Sequence, residues 1–237
     1  HRAAILRQAL LGDAQIRHDL DARKDGLQEM PDVPVIAVRA GLPEYSGPAI
    51  GWPPGWAGLW RGTDAWLQIH QRVGAVLDGG KEAPTARGHI VAGLWVQHLA
   101  ACASGMPVTS VQLGLDGQVV FKPLAQAEAL DVLQRLVRAY LAAWERPLPV
   151  ACKTAWAYLQ AQAHAKRQAT DNPDKEPKNP HEAAQVVFEG GFQRTGERAE
   201  SAYLARAFEA YDDLQAELPG WAALLYGDMA AHAGVSA

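Results

Sequence analysis

Cysteine is scarce in this sequence, with two residues, Cys102 and Cys152, among 237. A small secreted fold would use more, and a zinc centre would need partners at ligand spacing, so both are expected to be free thiols in a reducing cytoplasm. No apolar run reaches the length of a membrane span, because Arg, Gln, Gly or His interrupts each one. No Walker pattern, no G-x-G-x-x-G and no serine-nucleophile motif is present, which argues against nucleotide hydrolysis and acyl transfer by this chain alone. Positive charge is not in excess either. The formal net charge is −4, so a DNA contact would draw part of its positive field from a partner. The chain begins with His1, without a signal or transit pattern, and is expected to be a piece of something longer.

What is present reads as a globular helix-and-strand fold, with 49% hydrophobic and 20% charged residues. Periodicity predicts a helix over Arg2 to Lys24 and a short buried strand over Val33 to Val38. Gly41 to Gly62, dense in Gly, Pro and Trp, reads as a packed loop. Asp64 to Asp78 is expected to be a strand ending in a turn at Asp78-Gly79-Gly80. Arg87 to Ser104 is expected to be a helix stopped by Gly105 and Pro107. Val108 to Leu115 and Gln118 to Phe121 form a hairpin about Asp116-Gly117, read as a type I′ turn, with apolar residues on both faces.

A long helix opens at Pro123 and ends at Pro147-Leu148-Pro149. A second, capped by Thr154, runs to Arg167. Thr170 to His181 reads as a polar linker, followed by helices over Glu182 to Phe188, Glu200 to Ala216 and after Pro219-Gly220. The aromatic residues Trp95, Tyr140, Trp144 and Trp156 are expected in the core.

Two stretches bear on metal-dependent nuclease chemistry. That chemistry needs an Asp on one strand and an acid-x-Lys triplet on the next, the acids holding Mg²⁺ and the Lys orienting water. Pro173-Asp174 and Glu176-Pro177-Lys178 spell such pieces, but they are nearly contiguous in a proline-rich linker and cannot occupy two strands. Asp78-Gly79-Gly80-Lys81 has one residue too many. On a strand, i and i+3 point oppositely, so Asp78 and Lys81 would meet only through a bulge, which the glycines permit. His89 and His98 share a helix on opposing faces and read as structural. Lys166, Arg167, Lys175 and Lys178 cluster near the linker, as a solvated helix end or as a contact to DNA or a partner. No catalytic set and no cofactor site is read.

Several motifs in one order resemble a known family. Leu94-Trp95-Val96-Gln97-His98-Leu99 and Cys102-Ala103-Ser104-Gly105 match L-W-x-x-H-L and C-A-S-G. They are followed by Asp116-Gly117, by Phe121-Lys122-Pro123-Leu124-Ala125, and by the helix from Ala129 to Tyr140 with Leu133 and Leu136. Pro147-Leu148-Pro149, Ala155-Trp156-Ala157-Tyr158-Leu159, Glu189-Gly190, Gly196-Glu197 and the aromatic segment around Tyr203 and Phe208 complete the series. This order resembles the C-terminal region of exodeoxyribonuclease V gamma (RecC) subunits, clearly over 88–237 and more weakly over 1–87. The resemblance implies one domain over 1–237 with a degenerate PD-(D/E)XK nuclease-like fold, a small mixed α/β sheet flanked by helices. It further implies a non-catalytic role in a cytoplasmic helicase–nuclease, with RecB- and RecD-type subunits, double-stranded DNA ends and single-stranded DNA as partners, and no membrane. An active Mg²⁺-dependent nuclease using Asp78, or an unrelated adaptor, is the alternative.

Overall fold

Apolar residues at every second position (Val108, Val119, Phe121) and at helical spacing (Val91, Leu94, Trp95, Leu99) produce a mixed α/β fold in which a small sheet is flanked by helices. The computed structural model describes residues 28–29, 59–61, 66–79, 84–171, 179–191 and 194–236. The expected helix at 2–24 and strand at 33–38 lie outside the described residues. The chain divides into two compact units, residues 1–134 with 232–237, and residues 135–231.

The first unit carries β1 (Gln28–Glu29), β2 (Leu59–Arg61), β3 (Trp66–Gln71), β4 (Leu77–Asp78), β5 (Thr85–Ala86), α1 (Gly88–Ala103), β6 (Val108–Leu113), β7 (Gln118–Phe121) and the start of α2 (Gln126–Glu145). Its main sheet has the order β1-β2-β3-β6-β7 and is completed by the strand Gly234–Ser236 beside β7. All neighbours are antiparallel except β3 and β6, which run parallel and are joined through α1. Such a parallel pair needs a long crossover, and α1 supplies it. β4 and β5 form a separate two-stranded ladder.

Two expectations are corrected here and one holds. Leu59–Arg61, read as loop, is a strand, because its backbone pairs with Trp66–Gln68 of β3. α1 ends as expected. Gly105 has φ +81°, Met106 N–H donates to Ala101 O and Gly105 N–H to Cys102 O, which is a Schellman stop. The hairpin turn differs from a two-residue I′ turn. Leu113 pairs with Gln118, so four residues, Gly114 to Gly117, form the loop. The Asp116 carboxylate accepts from Val76 N–H at 2.7 Å and Leu77 N–H at 3.1 Å, pinning the loop to the segment before β4. A Cβ at Gly114 would lie 2.6 Å from Val76 Cγ1 and 2.8 Å from Gly74 O, so the close approach requires glycine.

One face of the hairpin is buried (Val108, Ser110, Gln112, Val119, Phe121) and the other half-buried. Trp95 anchors the buried side, its ring 5.0 Å from Phe121, and it stacks on His98 and His232.

The second unit carries the rest of α2, then α3 (Cys152–Asp171), α4 (Pro180–Glu189), the two-residue strands Gly190–Gly191 and Arg194–Thr195, α5 (Glu197–Glu200), α6 (Ala202–Ala207), α7 (Asp212–Gln215), α8 (Leu218–Ala222), a π-helical turn (Ala223–Gly227) and α9 (Asp228–His232). Its core gathers Ala155, Tyr158, Phe188, Tyr211, Leu214 and Leu218. Thr154 is not the cap of α3. The helix starts at Cys152, and the Glu197 carboxylate accepts from Lys153 N–H, Thr154 N–H and Thr154 Oγ1–H. An acid facing helix-terminal amides is favourable. The expected continuous helix from Glu200 to Ala216 is interrupted where Ser201 and Phe208 adopt extended backbone.

Trp95 and Trp156 are buried as expected. Tyr140 and Trp144 are not, being 62% and 75% exposed, and they meet edge to face on α2. The apolar stripe of α2 is buried at Leu133 and emerges into solvent in the last turns.

Candidate functional site

The parallel register of β3 and β6 sets Gln68 beside Ser110 and His70 beside Gln112. Alternation then turns these four polar side chains to one sheet face. Gln68, Ser110 and Gln112 are buried there, and His98 reaches them from α1 with no exposed surface. Buried polar groups must be hydrogen-bonded, and these form a chain. His98 Nδ1 and Ser110 Oγ lie 2.9 Å apart, Ser110 Oγ–H donates to Gln68 Oε1 at 3.1 Å, and Gln68 Nε2 donates to Gln97 Oε1 at 2.7 Å and stands 3.3 Å from His70 Nε2. Cys102 Sγ lies 3.8 Å from His98 Nε2.

The face is uncharged near neutral pH. Burial pushes His98 down to about 4 and lowers His70, and it raises the Cys102 thiol. With Gln68 Nε2–H directed at His70 Nε2, the His70 proton belongs on Nδ1, which becomes the ring's donor.

An open groove of about 640 Å³ lies at the end of β3, lined by Ile69, His70, Gln71, Arg72, Val73, Ile90 and Gln112. This is the carboxyl end of a strand paired in parallel, where open α/β sheets commonly receive ligands. The lining contains no carboxylate, and its one fixed cation is Arg72.

The residues singled out in the sequence fall elsewhere. Asp78 lies on the small β4–β5 ladder, outside the main sheet, with its carboxylate 2.8 Å from Arg87 Nε. Lys81, Asp174, Lys175, Glu176 and Lys178 lie outside the described residues. Lys166 and Arg167 are exposed near the end of α3. His89 is exposed and His98 buried, on opposing faces of α1 as spacing requires. Among the described residues no group of three or more His, Cys, Asp or Glu could hold a metal ion, and no helix is long and apolar enough to cross a membrane. The set Gln68, His70, Arg72 and Gln112 was not read from sequence. Its signal was the polar alternation Gln-Ile-His after the apolar pair Trp66-Leu67.

Comparison with known proteins gives a consistent picture. The chain is 31% identical over 105 residues to the RecBCD enzyme subunit RecC of Escherichia coli (strain K12). That alignment takes in 44% of this chain and 9% of that protein's length. The family model described as the RecC C-terminal domain matches residues 13–163, which contain β1 to β7, α1, α2, the groove and the start of α3. The chain belongs to the RecC C-terminal domain family.

Proposed function

We propose that this chain is a non-catalytic, nuclease-like region of a RecC subunit, with residues 1–237 acting together. It contributes to subunit assembly and DNA handling in a cytoplasmic RecBCD-type helicase–nuclease that repairs double-strand breaks. Two lines support the nuclease-like part. The antiparallel run β1-β2-β3, the crossover α1 and the parallel β6 give a mixed sheet with one parallel pair, which is compatible with the nuclease-like fold that the family resemblance implies. In such a core the acid-x-Lys triplet belongs on the third strand, with its first and third residues on one face. Here β3 carries Gln68-Ile69-His70.

The observation that carries the reading is this replacement. On the nuclease-like reading of β3, a neutral amide, Gln68, takes the position that a Mg²⁺-binding carboxylate would need, and His70, its pKa lowered by burial, takes that of the Lys cation. β2, β3, β6 and β7 contain no Asp or Glu at all. Asp78 does not restore the set, since it pairs with Arg87 on another ladder. Family membership supports assembly with RecB- and RecD-type subunits. Incubation of the purified chain with labelled single- and double-stranded DNA and Mg²⁺ is expected to leave the DNA intact. Co-purification with RecB- and RecD-type subunits is expected to retain the chain. Cleavage abolished by Asp78→Ala would overturn the non-catalytic reading, and failure to associate would overturn the assembly role.

A further inference from the structure

We infer that the groove at the end of β3 is a nucleotide-binding pocket that holds one nucleotide of single-stranded DNA, its phosphate on Arg72 and its base edge on Gln112 and His70. The proposal rests on the DNA-handling reading above and assigns that role to a specific place.

Gln112 is the first reason. It is 6% exposed, and its amide Nε2 donates to the carbonyl oxygens of His70 and Leu113, each at 3.3 Å. Two carbonyl neighbours fix the amide orientation, since the reverse would face oxygen with oxygen. Oε1 is therefore turned from those carbonyls, and no described protein group donates to it. Lining an open groove, this acceptor is left to solvent, and a ligand N–H can take the place of water there.

His70 supplies the complement. Its Nε2 is taken by Gln68, which leaves Nδ1–H as a donor on a ring lining the same groove. A donor and an acceptor on neighbouring strands suit a nucleobase edge, which presents both.

Arg72 is the second reason. Among the described residues its guanidinium has no carboxylate partner, while Asp78, Arg87 and Arg135 are all engaged in ion pairs. A guanidinium matches a phosphate in shape as well as charge. Ile69, Val73 and Ile90 add apolar surface for a base or sugar, and Val73 is left 76% exposed. About 640 Å³ is ample for one nucleotide. No carboxylate in the lining repels a phosphodiester or calls for a metal bridge to it.

The test is fluorescence anisotropy of the full chain with a labelled ten-nucleotide single strand in EDTA, beside an oligonucleotide carrying abasic sites and a duplex of the same sequence. Arg72→Ala is expected to weaken single-strand binding by about tenfold and to lower the slope of log K against log salt by about 0.7, the value of one phosphate contact on a single strand. Arg72→Lys is expected to recover part of the loss, and Lys166→Ala to change little. The abasic strand is expected to bind more weakly than the intact one. Unchanged affinity in Arg72→Ala, or equal affinity for abasic and intact strands, overturns the proposal. Arg72 is exposed, so folding of its variants is secure. Because these measurements need no Mg²⁺ and no partner, their outcome is separate from the cleavage and co-purification results.

Discussion

His98 shows how a single side chain ties the fold to solution conditions. Held neutral by burial with its pKa near 4, it binds no proton in the folded state between about pH 6.5 and 4, whereas in the unfolded chain it does. The unfolded state therefore gains stability as pH falls through that window, and the folded state becomes relatively less stable. One group with this shift contributes about 2 kcal/mol of destabilisation between pH 7 and pH 5. Urea unfolding of the wild type against His98→Gln at both values checks it, and the variant is expected to show a smaller loss. Glu197 ties the fold together by hydrogen bonding, as an acceptor for three donors at the start of α3. Glu197→Ala is expected to destabilise the second unit by about 1–3 kcal/mol, read as an earlier thermal transition.

At the scale of elements, α2 separates burial from periodicity. Its stripe, regular from Leu133 to Trp144, is one pattern in sequence but two environments in structure. Trp144→Ala is expected to leave stability within about 0.5 kcal/mol of wild type. Trp95→Ala, by contrast, should cost about 3–5 kcal/mol through the cavity it leaves against Phe121 and His98. Denaturant titration of the two variants distinguishes them. Elements whose signals are local were legible beforehand. The stop of α1 at Gly105 and the hairpin strands follow from nearby residues, whereas the single strand expected over Asp64 to Asp78 is β3 over Trp66–Gln71, with Leu77–Asp78 on a separate ladder. What was not legible depends on distant partners. Leu59–Arg61 is a strand because β3 lies beside it, and α3 begins at Cys152 because Glu197 reaches its amides. Gln68 and Gln112 become one site only through a register across two strands, which neither segment encodes alone.

At the scale of the whole molecule, the main sheet joins residues far apart in sequence. Val235 lies opposite Val119, and Gly234 opposite Val120, so the strand beside β7 follows the second unit in sequence. Removal of residues 234–236 is expected to speed hydrogen exchange at the β7 amides while leaving the α3–α4 amides as protected as before. Equal exchange at β7 in the shortened chain would show that this pairing adds nothing. The absence of acids from the four inner strands is likewise a property of the assembled sheet. The linker's Asp174 and Glu176 supply the letters of a nuclease motif in a stretch that spacing alone excludes from two strands.

The late arrival of Gly234–Ser236 also matters while the protein is being made. A ribosome delivers β7 long before its outer neighbour, and the whole helical unit is synthesised in between. Until residues 234–236 are made, the row of β7 amides and carbonyls that they pair lacks that partner, and an open row of that kind invites pairing with a neighbouring nascent chain. Residues 234–236 thus act as a closing seam, and a translation pause shortly before them would lengthen the period of greatest risk of aggregation.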